Sequence, residues 1–392
     1  MTAGRLRVVF ACALLLFAGC TAPTADSPVL EATDEPSVDE TTTTDERPEQ
    51  SVQVVEGDLD VDANQTFERV ETLVEGDYPG TRVVVRDLTS YKTADYGQVP
   101  FFRVFGVSNP DLDTDDPAGL TTLDARVYLS PAEAGPARLE QVLAHEFVHV
   151  AQVREEMVPW FGGLSLGRVS LDERFARRAL VEGGAVYVTD DYTREHLPNL
   201  TLQSEHIAQR YAAGSSGDRV VYGQYRFGFE YVNATIDDPA DLAAVYDDAP
   251  RTTENVLHPG DTDDPAPLDV TTESEEFERV QSPTGRVGEL VTRITLRDAT
   301  GEDRAVNASE GWGNDRVVVF EEDWERSIAW VTRWDTSADA DEFAAAARTL
   351  GNETDTEAFR TTRLDDETVV VFAGSESFVE TASASGNVTI SA

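Results

Sequence analysis

Residues 138–152 read Arg-Leu-Glu-Gln-Val-Leu-Ala-His-Glu-Phe-Val-His-Val-Ala-Gln, and no other stretch restricts the fold as tightly. Leu139, Leu143, Phe147 and Val150 recur at helical spacing, and neither glycine nor proline falls between Ala137 and Val158, which predicts a helix. On a helix, side chains four residues apart lie one above the other. His145 and His149 can therefore reach one cation while Glu146 projects beside them, with both imidazoles at the edge of the apolar stripe. Two hydrogen-bonded core histidines would read the same over this short span, so the metal reading needs a third ligand.

The search for that ligand leads to residues 171–188. Leu171, Phe175, Ala179, Glu182 and Val186 share one helical face, which sets the carboxylate of Glu182 among apolar side chains. A lone buried carboxylate is costly, and a cation removes the cost. Gly183 and Gly184 weaken a helix but let another backbone or helix come close, as packing this helix against the first would require. The expected ligands are His145, His149 and Glu182, with zinc (Zn2+) as the cation and Glu146 as a general base. Three protein ligands leave a fourth position for water, whose proton Glu146 would accept and later pass to a leaving amine. A developing oxyanion needs a further donor. Tyr225, on an aromatic helix over residues 222–232, is the first candidate, followed by Tyr222 and His258, whereas His196 and His206 read as surface residues.

His145-Glu146-Phe147-Val148-His149 followed by Glu182-Gly183-Gly184-Ala185 resembles the gluzincins, the zinc metallopeptidase clan that includes thermolysin, in which a glutamate on a second helix completes the site. The gap from His149 to Glu182 is longer than in thermolysin itself. The resemblance implies a zincin-like α+β domain with a mixed sheet, in which an edge strand beside the metal helix pairs with an extended substrate. Residues 126–130, Arg-Val-Tyr-Leu-Ser, read as a strand, and the resemblance makes Val127, Tyr128 and Leu129 that rail. Residues 222–232, 250–259 and 311–315 are similar to segments of exported HExxH proteins of unassigned substrate, haloarchaeal surface proteins among them; this looser likeness spans about residues 139–350.

The amino terminus carries Arg5 and Arg7, an apolar run over residues 8–17, and the ending Leu-Phe-Ala-Gly-Cys at Cys20. The run is too short for a permanent membrane span, so residues 1–20 are expected to be a signal peptide. The small-small-Cys ending resembles a lipobox, with Cys20 lipidated and the protein held on the outer face of the cell membrane; the alternative is a plain secretory signal. Residues 21–50, dominated by Pro, Thr, Asp and Glu, read as a disordered tether. Six Asn-x-Ser/Thr sites, at Asn64, Asn199, Asn233, Asn307, Asn352 and Asn387, suit an exported glycoprotein. Cys12 and Cys20 are the only cysteines, so removing the signal leaves no pair for an intramolecular disulfide.

The chain has 31 basic against 74 acidic residues, a formal net charge of −43, and no block basic enough to grip nucleic acid. This lysine-poor, acidic composition resembles that of proteins from salt-loving archaea, where ionic strength screens self-repulsion. The run Asp-Leu-Asp-Thr-Asp-Asp at residues 111–116 lacks the glycine and glutamate of a calcium loop and reads as a solvated acidic loop.

Residues 51–260 are expected to form the metallopeptidase domain, with a helix at 67–73 and strands at 82–86 and 101–107. The segment 261–281 reads as a linker or loop, and 282–392 as a small α+β module. Within the module the pattern predicts a helix near 288–297, paired strands at 316–320 and 327–334, a helix capped by Ser337 or Asp339 and ending at Leu350-Gly351, and a strand at 368–372. Packing against or covering the cleft is the module's expected role. Two functions stand: a lipid-anchored extracellular zinc metallopeptidase acting on peptides or surface proteins, and a surface binding or envelope-structure protein that keeps the fold with little hydrolysis. Intact His145, Glu146, His149 and Glu182 favour the first.

Overall fold

The computed structural model describes residues 51–158, 169–260, 263–274, 276–282, 284–354, 356–386 and 388–392. The expected signal peptide with Cys20, the tether and Asn387 lie outside them. The protein is a mixed α+β structure.

The first part of the chain runs β1 (Gln53–Glu56), α1 (Ala63–Leu73), β2 (Arg82–Val85), α2 (Pro100–Val104), β3 (Ala118–Thr121), β4 (Val127–Ser130), α3 (Pro136–Arg154), α4 (Leu171–His196), α5 (Gln203–Ala213), α6 (Ser216–Thr235) and α7 (Thr253–Leu257). It continues through β5 (Thr271–Glu273), β6 (Glu278–Val280), α8 (Gly288–Thr300), α9 (Glu302–Asn307), β7 (Trp312–Glu322), β8 (Glu325–Trp334), α10 (Ser337–Glu353), β9 (Ala358–Arg363), β10 (Thr368–Gly374), α11 (Glu376–Thr381), β11 (Ser383–Ser385) and β12 (Thr389–Ser391).

The helices that matter to the site begin where the sequence provides caps. Pro136 opens α3, where its missing N–H costs nothing. Ser170 accepts the Glu173 N–H at the start of α4, whose first turn carries Asp172 and Glu173 and whose last carries Arg194 and His196, both signs matching the helix dipole. Ser215 and Asp218 form a reciprocal capping box on α6. On α10 the cap is Thr336, one residue before the expected Ser337, and Asp339 completes the box.

The first sheet has the order β1-β2-β4-β3, parallel between β1, β2 and β4 and antiparallel between β4 and β3. This corrects the expected substrate rail. Val127, Tyr128 and Leu129 are interior, their backbone committed to β2 on one side and β3 on the other; the edge strands are β1 and β3, and β3 is the one that lies against α3. A second correction concerns residues 101–107, which form α2 and the turn after it. A short apolar run reads equally as strand or helix, and Pro100 at the first helical position decides for the helix.

Residues 83, 127 and 129 of this sheet pack with Phe67 of α1 and with Leu143, Phe147 and Val150 of α3. The second sheet, β6-β7-β8-β10-β9, is antiparallel throughout. Its strands alternate: Val317, Val319, Ile328 and Trp330 face the helices, while Val318, Phe320, Ala329 and Val331 face α11 and the small sheet β11-β12-β5.

The core does not divide near residue 261. Phe101 and Phe105 meet Trp330 edge to face at 5.0 and 5.2 Å, and Leu171, Ala179 and Tyr225 share one apolar cluster with Leu290, Trp312 and Phe343. The segment 261–281 contributes β5 and β6, paired to β12 and β7. A buried knot ties the two parts: Asp172 accepts from Thr253 and from Arg286 (2.8 Å), and Asp315 accepts the N–H groups of Val287 and Gly288. Among the described residues no helix is long and apolar enough to cross a membrane.

Candidate metal centre

The helix that carries Glu182 and the helix that carries Tyr225 are brought together by small residues. A Cβ on Gly183 would collide with the backbone of Gly228, and one on Gly228 with the Ala179 carbonyl, so α4 and α6 touch backbone to backbone. The expected partner of the glycine pair was α3. Gly183 instead admits α6, and Gly184 leaves room for Gln152 of α3 and for Tyr246, whose Nε2 and hydroxyl would each stand 3.1 Å from an added Cβ.

His145, His149 and Glu182 converge, with one ligand atom of each within 4.8 Å of the others. Glu182 Oε2 lies 3.5 Å from His145 Nε2 and 3.3 Å from His149 Nε2. All three residues are buried, at 2 %, 0 % and 1 % exposure, and these three atoms have no hydrogen-bond partner among the described residues. The opposite ring nitrogens account for this. His145 Nδ1 is 2.9 Å from Gln203 Oε1, and His149 Nδ1 is 2.6 Å from Gln152 Oε1. Gln152 spends its own Nε2 on the Val181 carbonyl and the Tyr246 hydroxyl, so its oxygen must accept from the imidazole. Each Nε2 therefore turns a lone pair inward towards a carboxylate oxygen that is also an acceptor. Three buried acceptors facing one point are unfavourable until a cation satisfies them, so the residues fit a metal ion.

The titration of the group agrees. Burial works to raise the Glu182 carboxyl, and the Arg178 charge works to lower it and favours the ionised, ligating form. Burial lowers His145, which keeps its imidazole neutral and able to ligate. Arg178 stands behind the ligand, its Nε 3.4 Å from Glu182 Oε1.

Glu146 is placed by the edge strand β3. Its Oε2 accepts the Thr121 hydroxyl at 2.7 Å, and its Oε1 is buried without a hydrogen-bond partner among the described residues. Burial pushes its carboxyl well above the usual range, against the Thr121 hydrogen bond and reinforced by the charge of Glu182. A Cβ on Gly119 would collide with Glu146 Oε1 and stand 2.5 Å from its Cγ and Cδ, so β3 makes room for the carboxylate only because residue 119 is glycine.

Tyr225 lies at the site. Its ring stacks on His145 with centroids 6.3 Å apart and 28° between planes, and its hydroxyl is 3.5 Å from Arg178 Nη2. Tyr222 turns to Arg210, 3.3 Å from its Nε. His258 pairs with Glu289 at 2.9 Å, beside Arg293 on the same buried carboxylate, and belongs to the packing of α7 on α8. His196 and His206 are partly buried, the first against the Tyr192 ring and the second 3.7 Å from Asp116. The acidic loop at 111–116 is largely exposed, and the Lys92 ammonium donates to the carbonyls of Asp113 and Asp116. Asn64, Asn199, Asn233, Asn307 and Asn352 are exposed.

Sequence reasoning missed Gly119, Thr121, Gln152, Arg178, Gln203 and Tyr246. Gln152 and Arg178 lie three residues after His149 and four before Glu182, so helical register was the available signal for them. The other four come from distant segments.

Residues 275–389 match a family model described as Domain of unknown function (DUF8575). The matched stretch covers the second sheet and its helices and excludes His145, Glu146, His149 and Glu182. No curated protein and no solved structure matches the chain.

Proposed function

We propose that the protein is a gluzincin-type zinc metallopeptidase, exported and lipid-anchored at Cys20, that hydrolyses peptides or surface proteins. The observation that carries this reading is the convergence of the three orphaned atoms of His145, His149 and Glu182 beside a carboxylate, Glu146, that is held by one oxygen only. Two imidazole nitrogens and one carboxylate oxygen are a donor set suited to zinc. Zinc held there would supply Lewis acidity to the scissile carbonyl and acidify water.

The chain's own residues then have separable tasks. Thr121 fixes Glu146 Oε2, which leaves Oε1 to take a proton from the attacking water. As the C–N bond breaks, the same carboxyl returns that proton to the amine, so the products are a new carboxylate and a new amino terminus. Gln203 and Gln152 hold the imidazoles, and Tyr225 is the donor for the carbonyl oxygen as charge builds on it.

A second reading, a surface binding or envelope-structure protein that keeps the fold, is favoured by one observation. None of the four polar residues exceeds 2 % exposure, so a substrate needs an opening before it can reach them. Hydrolysis of a peptide mixture in high salt by wild type and Glu146→Gln separates the two. The peptidase reading expects cleavage that falls by about 10²- to 10⁴-fold in Glu146→Gln with metal content unchanged. A metal-loaded wild type that cleaves nothing supports the binding protein, and equal cleavage by both chains removes Glu146 from the mechanism.

A further inference from the structure

Among the described residues, Arg178 is the one charged side chain that touches both the third expected ligand and the candidate donor tyrosine. It sits one helical turn before Glu182, buried to 15 % side-chain exposure, with Nε 3.4 Å from Glu182 Oε1 and Nη2 3.5 Å from the Tyr225 hydroxyl. The two carboxylate oxygens of Glu182 therefore have different neighbours: Oε2 faces His145 and His149, and Oε1 faces the guanidinium.

That division matters because a carboxylate can bind a cation through one oxygen or both. Both together would take up a coordination position that a substrate oxygen or water otherwise occupies. A guanidinium engaging one oxygen opposes the two-oxygen mode, since that oxygen would have to leave a buried positive partner. Its other arm donates to the Tyr225 oxygen, which directs the phenol's own proton away from Arg178, while the ring is steadied on His145.

We infer that Arg178 is a positioning residue that holds Glu182 to a single metal-facing oxygen, and so keeps a coordination position open, while orienting the Tyr225 hydroxyl. The inference rests on the metal-centre reading of His145, His149 and Glu182, and its test is built so that the two can fail separately.

The full-length chain is loaded with Co2+ in place of zinc, and metal per chain and visible absorption are recorded for wild type and Arg178→Met. Cobalt absorbs strongly in low-coordinate, tetrahedral-like sites and weakly as ligands are added, so the spectrum reports the denticity of Glu182 without recourse to activity. The expected result is equal cobalt per chain with a several-fold loss of visible absorption in Arg178→Met. Arg178→Gln, a polar neutral side chain in the same space, is expected to lose absorption in the same sense if the methionine variant does not fold. Arg178→Lys, which keeps the charge, is expected to retain the wild-type band. Cobalt bound by wild type with an unchanged spectrum in the methionine or glutamine variant overturns the role of Arg178 and leaves the metal centre standing. A wild type that binds no cobalt overturns the metal centre and this inference with it.

Discussion

Gly119 shows how closely β3 approaches the Glu146 carboxylate. A methyl group there would meet Oε1, Cδ and Cγ of Glu146, a side chain that is fully buried and already tied to Thr121. Gly119→Ala is therefore expected to leave metal per chain unchanged while kcat for peptide hydrolysis falls by about a hundredfold, the scale on which a displacement of about 1 Å acts. Steady-state kinetics beside metal analysis checks this, and an alanine variant of full activity would mean that Glu146 does not need its present position. At this scale the sequence was partly legible. His145, Glu146 and His149 announce themselves because one helical turn is written into their spacing, and Glu182 because a carboxylate stood on an apolar face. Thr121, Gln203 and Tyr246 carry no such mark, since their roles arise only when β3, α5 and the segment before α7 fold onto α3.

At the scale of elements, the contact between α4 and α6 sets how near Tyr225 comes to the ligands. Gly228→Ala tests it because two effects have opposite signs. Helix propensity alone favours alanine by about 1 kcal/mol. The new methyl would enter the Ala179 carbonyl, where backbone faces backbone and neither yields easily, and overpacking of this kind costs about 1–3 kcal/mol. A net destabilisation in chemical denaturation is expected, and a variant more stable than wild type would contradict the close approach. Long periodic helices were legible: α3, α4 and α6 stand where residues 138–152, 171–188 and 222–232 placed them. Short elements were read unevenly: β2 and β4 stand where residues 82–86 and 126–130 placed them, but two others were missed or misassigned. Ala118–Thr121 has a glycine where a strand wants a branched side chain, so the edge strand against α3 went unread and its neighbour β4 was taken for it. Residues 101–107 failed for the reason given above, a short apolar run with no period of its own.

Across the whole molecule, the sheet module, α4 and α6 fold around common apolar ground. The Asp- and Pro-containing run near residue 261 looked like a boundary because composition reports local exposure and turn chemistry; it carries no information on whether Phe101 and Phe105 will later find Trp330. The module matched to a domain of unknown function thus contributes Trp312, Trp330 and Phe343 to the cluster that also holds Ala179 and Tyr225. It packs against the helix that carries Glu182. Everything proposed for this molecule depends on the buried trio holding a cation, so the decisive measurement is zinc per chain after exhaustive dialysis, for wild type and Glu182→Ala in high salt. A single zinc in wild type that is lost or strongly depleted in Glu182→Ala is the predicted result, and a folded wild type that retains no zinc would contradict the account at its centre.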